Sequence, residues 1–86
     1  MEVHKKIWPE FFELVKSGNK NCELRLADFS ITKGDTLVLE EFDPDKKEYT
    51  GRKLIKKVKA LHKIDLARMY NIEDVKNKGL YLMEIE

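Results

Sequence analysis

The sequence has little of several things that mark large classes of protein. It has one cysteine, Cys22, which excludes an internal disulfide framework and predicts a reducing, cytoplasmic compartment. No apolar run is long enough to span a bilayer, and residues 1–6 are polar rather than a signal peptide. The net charge is only +1, so the surface as a whole does not attract nucleic acid, and any such binding needs a local patch.

Groups that hold metals or phosphates are also scarce. The histidines and the cysteine, His4, His62 and Cys22, lack the spacing of a zinc site, so we expect no metal. The four glycines are isolated, which excludes a glycine-rich phosphate loop, and we expect no cofactor.

The 86 residues are 42% hydrophobic and 38% charged, which is typical of one small globular domain, residues 1–86. Glu2–Ile7 reads as a strand, and Trp8-Pro9 opens a helix because proline is tolerated in the first turn. Apolar residues then recur at helical spacing and predict a core-facing stripe, with its first member at the edge: Trp8, Phe11, Phe12 and Val15.

A β-hairpin is predicted in the middle of the chain. Residues 36–42 form its first strand, Asp43-Pro44-Asp45 begins the turn, and Gly51 closes the loop. Residues 52–63 are basic throughout and also carry a helical apolar stripe, but we interpret them as the pairing strand. Their lysines are either a solvated face paired with acidic residues across the hairpin or a patch for nucleic acid.

Residues 17–25 are the stretch around which the rest is organised. Gly18 is a helix stop signal, and the alternation over residues 21–26 predicts a strand with Cys22 on its core face. After the hairpin, Asp65 is a plausible N-cap for a short helix, residues 72–77 favour another that Gly79 ends, and residues 80–85 read as a closing strand.

This order predicts an α+β, mainly β fold. A small, mostly antiparallel sheet of about five strands is expected to curl into a barrel, with one main helix and one or two short ones, since a barrel leaves no exposed edges.

Charged residues gather beside the end of the first helix. Lys20, Glu23 and Arg25 are expected to meet His4 and Lys6 if the two strands are neighbours. Lysine and arginine suit a phosphate or a base edge, and the carboxylate suits a base amino group or a ribose hydroxyl. The alternative, with equal weight, is that Glu23 pairs with its basic neighbours and only keeps their side chains in place.

Several of these features together resemble the ASCH domain of the PUA-like superfamily, which also occurs in activating signal cointegrators. The resemblance covers nearly the whole chain and rests on the helix end at Ser17-Gly18 and on four short motifs: His4-x-Lys6-x-Trp8-Pro9, Lys20-x-x-Glu23-Leu24-Arg25, Gly34-Asp35 and Tyr49-Thr50-Gly51-Arg52. It implies a PUA-like barrel with a cleft at the loop between the first helix and the second strand. It also implies binding of RNA or a nucleotide there, which is an analogy of fold.

Some bacterial ASCH proteins resemble amidohydrolases that remove the acetyl group from acetylcytidine. Their lysine corresponds to Lys20 and their following arginine to Arg25, but their threonine nucleophile is replaced by Glu23. A carboxylate attacking an acyl group forms an anhydride rather than an ester, so an enzyme here would use Glu23 as a general base. Glu73 is a candidate for a later glutamate of those enzymes.

We therefore expect a non-catalytic module that binds RNA or a nucleotide. The residues expected to contact the ligand are Lys20, Arg25, Glu23, Lys6, His4 and Arg52. The alternatives are a small amidohydrolase that uses Lys20, Glu23 and Glu73, and a protein-interaction domain whose lysine strand meets an acidic partner.

Overall fold

The computed structural model describes residues 1–81, and those residues form a small α+β fold built mainly on one sheet. In this part of the chain three strands and three short helices follow one another as β1 (Glu2–Ile7), α1 (Pro9–Lys16), β2 (Thr36–Asp43), β3 (Glu48–Lys57), α2 (Leu66–Met69) and α3 (Ile72–Lys78). None of these helices is long and apolar enough to cross a membrane.

The sheet is mixed, with β2 in the middle. β1 pairs with β2 in parallel, so the chain needs a crossover between them, and α1 with residues 17–35 supplies it. β3 pairs with β2 in an antiparallel hairpin, as predicted for residues 36–42 and the segment after Gly51. Within residues 1–81 the sheet is open.

The core lies between α1 and one face of the sheet. Ile7, Phe12, Val15 and Leu39 are buried there, with Leu37 and Leu54 packed against them. Pro9 starts the helix and Gly18, at φ 83°, takes the left-handed conformation just beyond its end, as the sequence predicts.

The predicted apolar stripe of α1 is only half buried. Phe12 and Val15 face the core, but Phe11 is 41% exposed and stacks with the exposed Trp8, at 6.4 Å between ring centroids. The core-face prediction was therefore wrong for Phe11, because the short helix α1 buries only one row of side chains against the strands of residues 1–81.

The hairpin contains a bulge that the sequence did not reveal. Asp43 accepts backbone hydrogen bonds from Asp45 and Lys46 and so forms the predicted turn, but β3 already begins at Glu48. Gly51 therefore lies inside β3 instead of closing the loop. The register shifts between Glu40 and Phe42, so that residues 50–52 face Glu41 alone, and Gly51 has a φ of 92° at this bulge.

Two of the predicted strands are corrected by the structure, and a third lies mostly outside the described residues. Residues 21–26 form no strand, and their alternation is inverted: Glu23 and Arg25 are half-buried while Cys22, Leu24 and Leu26 are exposed. The basic segment 52–63 is a strand only as far as Lys57. The predicted strand 80–85 lies from residue 82 onward outside the described residues, and residues 80 and 81 are irregular.

The two short helices appear where the sequence predicts them. α2 follows Asp65, although that side chain makes no capping hydrogen bond. α3 is capped by Asn71, whose side chain accepts from the backbone N–H of Glu73, and it ends at Gly79.

Candidate functional site

Three charged side chains form one cluster after α1, and we call Lys20, Glu23 and Arg25 the triad. Lys20 Nζ lies 2.6 Å from Glu23 Oε1, and Arg25 Nε lies 2.9 Å from Glu23 Oε2. The three side chains are 28%, 22% and 30% exposed respectively. One carboxylate thus holds two cations in a half-buried position, and the triad keeps a net charge of +1.

The path of the chain after α1 brings these side chains together. The backbone N–H of Lys20 donates to the carbonyl of Leu14, and the Asn21 side chain donates to the carbonyl of Gly18. These bonds fold the chain back over the last turn of the helix. Because residues 21–26 have no strand partner in the described chain, ion pairing instead of a ladder decides which side chains turn inward.

The triad is tied to the first strand by one contact. Arg25 Nη2 donates to the backbone carbonyl of Lys6 at 2.6 Å. The ammonium of Lys6 lies 4.3 Å from the centroid of the Phe42 ring and 5.7 Å from that of Tyr49, which is cation–π distance. Arg25 thus reaches the first strand, but it meets the backbone of Lys6 and not the Lys6 side chain.

The triad retains hydrogen-bond donors. An ammonium has three protons and a guanidinium has five. Lys20 donates to Glu23 and to the carbonyl of Cys22, and Arg25 donates to Glu23 and to the carbonyl of Lys6. Within residues 1–81, Lys20 therefore keeps one unused N–H donor and Arg25 keeps three. A positive site with several donors suits an anion that offers several acceptor oxygens, such as a phosphate.

His4 lies apart from this group. Its ring nitrogens contact Glu2 Oε1 at 2.7 Å and Glu40 Oε1 at 3.1 Å. Hydrogen bonds to Glu2 first and to Glu40 second raise the pKa of His4 above its ordinary value. The structure thus surrounds this predicted ligand contact with carboxylates.

Arg52 lies in a second cluster, which we call the Glu41 cluster: Glu41, Thr50, Arg52 and Glu13. Arg52 makes a two-pronged contact with Glu41, at 2.9 Å from Nε to Oε1 and 2.7 Å from Nη2 to Oε2. Thr50 donates to Glu41 at 2.6 Å, and Arg52 also contacts Glu13 at 2.7 Å and lies over the Phe12 ring. Arg52, which the sequence analysis expects to contact ligand, thus makes these contacts within the fold.

The pKa values of this second cluster move as expected for a strong pair. Hydrogen bonds from Arg52, and then from Thr50, lower the pKa of Glu41, which is only 3% exposed. Hydrogen bonds to Glu41 and Glu13 raise the pKa of Arg52. This cluster was not predicted beyond the opposite charges on the two strands, because the bulge that joins Thr50 and Arg52 to one carboxylate is not visible in a sequence pattern.

Glu73 lies on α3, in a separate part of the fold, with its backbone N–H on the Asn71 side chain. Among residues 1–81 no group of three or more histidine, cysteine, aspartate and glutamate side chains is arranged to hold a metal ion.

Comparison with known proteins gives one family. The family model described as a domain of unknown function (DUF3850) matches residues 3–75 of the chain. No curated protein and no solved structure matched the chain.

Proposed function

The chain belongs to the family described as a domain of unknown function (DUF3850), and we propose that this member is a module that binds RNA or a nucleotide on the triad. The observation that carries the proposal is the charge balance of the triad, in which two cations share one half-buried carboxylate and keep unused donors. Single-stranded nucleic acid brings phosphate charge and acceptor oxygens to such a site.

The position of the triad supports the same reading. Arg25 is held by the backbone of β1 and by Glu23, so its planar guanidinium is fixed before a ligand arrives. Glu23 acts as the holder of both cations. Binding then loses less side-chain freedom than it would with free surface lysines.

The resemblance to the ASCH domain extends this proposal to the whole fold. We propose that the open sheet described above is part of a PUA-like barrel. We also assign the protein to the cytoplasm, on the ground that Cys22 is an exposed free thiol, which suits a reducing compartment.

The test is a salt titration of binding to labelled single-stranded and hairpin RNA. For the native protein we expect the logarithm of the affinity to fall linearly with the logarithm of salt concentration. Arg25→Ala should weaken binding and reduce the slope by about 0.7, the value for one phosphate contact on a single strand. Arg68→Ala, which removes the same charge from α2, is the matched control.

Two results would contradict the proposal. One is no binding by the native protein at low salt. The other is an Arg25→Ala variant that binds with the native affinity and slope. Equal binding of polyglutamate and RNA would favour an acidic protein partner instead.

A second candidate is an amidohydrolase acting on an acetylated cytidine-like nucleoside. It is supported by the 2.6 Å contact between Lys20 and Glu23, a charge pair next to which water can be activated. In this reading the carboxylate takes a proton from water as the water attacks the acyl carbon, and it passes that proton to the leaving nitrogen as the C–N bond breaks. The products are acetate, the free amine and one proton. Turnover of acetylcytidine that disappears in Glu23→Gln would support it, and no turnover on a panel of acylated nucleosides would remove it.

A further inference from the structure

The triad is continued by a second surface on the sheet. Arg25 bonds to the backbone of Lys6, and the side chain of Lys6 then reaches over Phe42 and Tyr49. The two aromatic rings meet edge to face, with centroids 5.2 Å apart and planes at 73°. We call Lys6, Phe42 and Tyr49 the aromatic ledge.

Tyr49 on this ledge is both held in place and exposed. Its edge-to-face contact with Phe42 and its place opposite Phe42 in the hairpin fix the ring. A tyrosine in an aromatic pair on a strand usually serves only for packing. Tyr49 is nevertheless 51% exposed. Base stacking requires a ring that is held in place and accessible to solvent.

The charge around the ledge is also suited to nucleic acid. The register puts Lys6, Glu40 and Lys53 in one cross-strand row, on the same face as Lys57, which lies opposite Thr36. Glu40 contacts His4, and within residues 1–81 neither Lys6 nor either of these two β3 lysines forms an ion pair. The face therefore presents basic groups beside an exposed ring.

We propose that the ligand of this site is a single-stranded RNA segment of at least two nucleotides, with its phosphates at the triad and a base stacked on Tyr49. The proposal rests on the proposed function, because it needs the triad to bind phosphate. It goes further in selecting a strand over a mononucleotide. Lys6 contacts both parts, since its backbone carbonyl accepts from Arg25 and its ammonium lies beside the Phe42 and Tyr49 rings, so a single nucleotide uses only part of the surface.

The experiment measures the binding of the full chain to labelled oligouridines of one, two, four and eight nucleotides. Affinity should rise steeply between one nucleotide and four. Tyr49→Ala should lower the affinity for the longer oligomers by about 5-fold to 150-fold, the loss expected for one stacked base, and Tyr49→Phe should bind like the native protein.

A second variant guards against a folding defect. Tyr49→Leu keeps an apolar contact with Phe42 but has no planar face, so it should fold with a near-native melting temperature and still bind weakly. Tyr70→Ala is the matched control, because Tyr70 is 53% exposed and lies at the end of α2. The salt slope should not change in the Tyr49 variants, since stacking neutralises no phosphate.

The outcomes separate this proposal from the one on which it rests. Loss of binding in Arg25→Ala together with native binding in Tyr49→Ala and Tyr49→Leu would overturn the stacking proposal and leave the triad as the site. Equal affinity for one and eight nucleotides would overturn it as well. No RNA binding by the native chain would remove both proposals.

Discussion

The triad and the Glu41 cluster are both built on a shared charged group, but they differ in charge balance and in the backbone that carries them. In the triad two cations share one carboxylate, on an irregular segment. In the Glu41 cluster one guanidinium meets two carboxylates, and the inner carboxylate stands on the central strand with 3% exposure. The Glu41 cluster has more acidic than basic groups, and both carboxylate oxygens of Glu41 are hydrogen-bonded, so it stabilises the fold. The triad has more basic than acidic groups and keeps unused donors, so it suits a ligand.

The largest effect expected from this difference is on stability. Glu41→Gln keeps the shape of the side chain but loses charge-assisted hydrogen bonds, each of which contributes about 1.5–3 kcal/mol. Because Arg52 is half exposed, we expect the lower end, a fall of about 1.5 kcal/mol in the free energy of unfolding. In a domain of this size that is roughly 6–12 °C in Tm, measured by circular dichroism.

The matched variant is Glu23→Gln in the triad. Its partners are more exposed and its backbone is irregular, so we expect a loss of about 0.5 kcal/mol. Equal losses in the two variants would show that both clusters are structural and would remove the distinction.

The order should reverse for binding. Lys20→Ala is expected to weaken the binding of single-stranded RNA about ten-fold and to reduce the salt slope by about 0.7, while Tm changes by only a few degrees. Lys76→Ala, on the exposed face of α3, removes the same charge and should leave both quantities as they are. A Lys20 variant that unfolds readily but binds normally would place the triad with the structural pairs.

Acid should lower the stability of the Glu41 cluster. The pKa of Glu41 is lowered in the folded state, so its contribution to stability is present above its ordinary value of 4.5 and is lost as the pH falls through the folded pKa. Between pH 5 and pH 3 the native protein should therefore lose more Tm than Glu41→Gln. Parallel curves for the two proteins would contradict this.

The smallest expected effect is a change in Tm near neutral pH that arises from His4. Its pKa is raised by Glu2 and Glu40, so the contribution of its charged form is complete below 6.5 and is lost as the pH rises through the folded pKa. His4→Gln should flatten a slight decline in Tm between pH 6 and pH 8. His62→Gln is the control, and an unchanged decline in His4→Gln would rule out His4 as its source.

The sequence predicts this fold well where a local signal decides the backbone. Pro9 and Gly18 bracket α1, Asp43 begins the turn, and Gly79 ends α3, because each residue type favours one backbone conformation in its own short segment. The clustering of the triad was predicted for the same reason, since Lys20, Glu23 and Arg25 are close in sequence and meet in space.

The failures concern contacts between distant segments. Alternation over residues 21–26 tells which side chains share a side, but not which side faces the protein, and there the charged side chains face inward. The contact of Arg52 with Glu41 was not predicted, because it depends on a bulge, a register shift and a carboxylate eleven residues away, and no short pattern contains all three. Phe11 looked like core because periodicity does not report the width of the sheet below it.

The mixed sheet also determines the order in which the protein can assemble. β2 and β3 are joined by a short turn and form a hairpin, a microsecond event, whereas β1 must find β2 across residues 8–35 and bear the entropy of closing that longer loop. The triad lies inside that loop and one of its members bonds to β1. We therefore expect the triad to be completed after the hairpin has formed, and local opening of β1 in hydrogen exchange should disrupt the triad before the hairpin is disturbed.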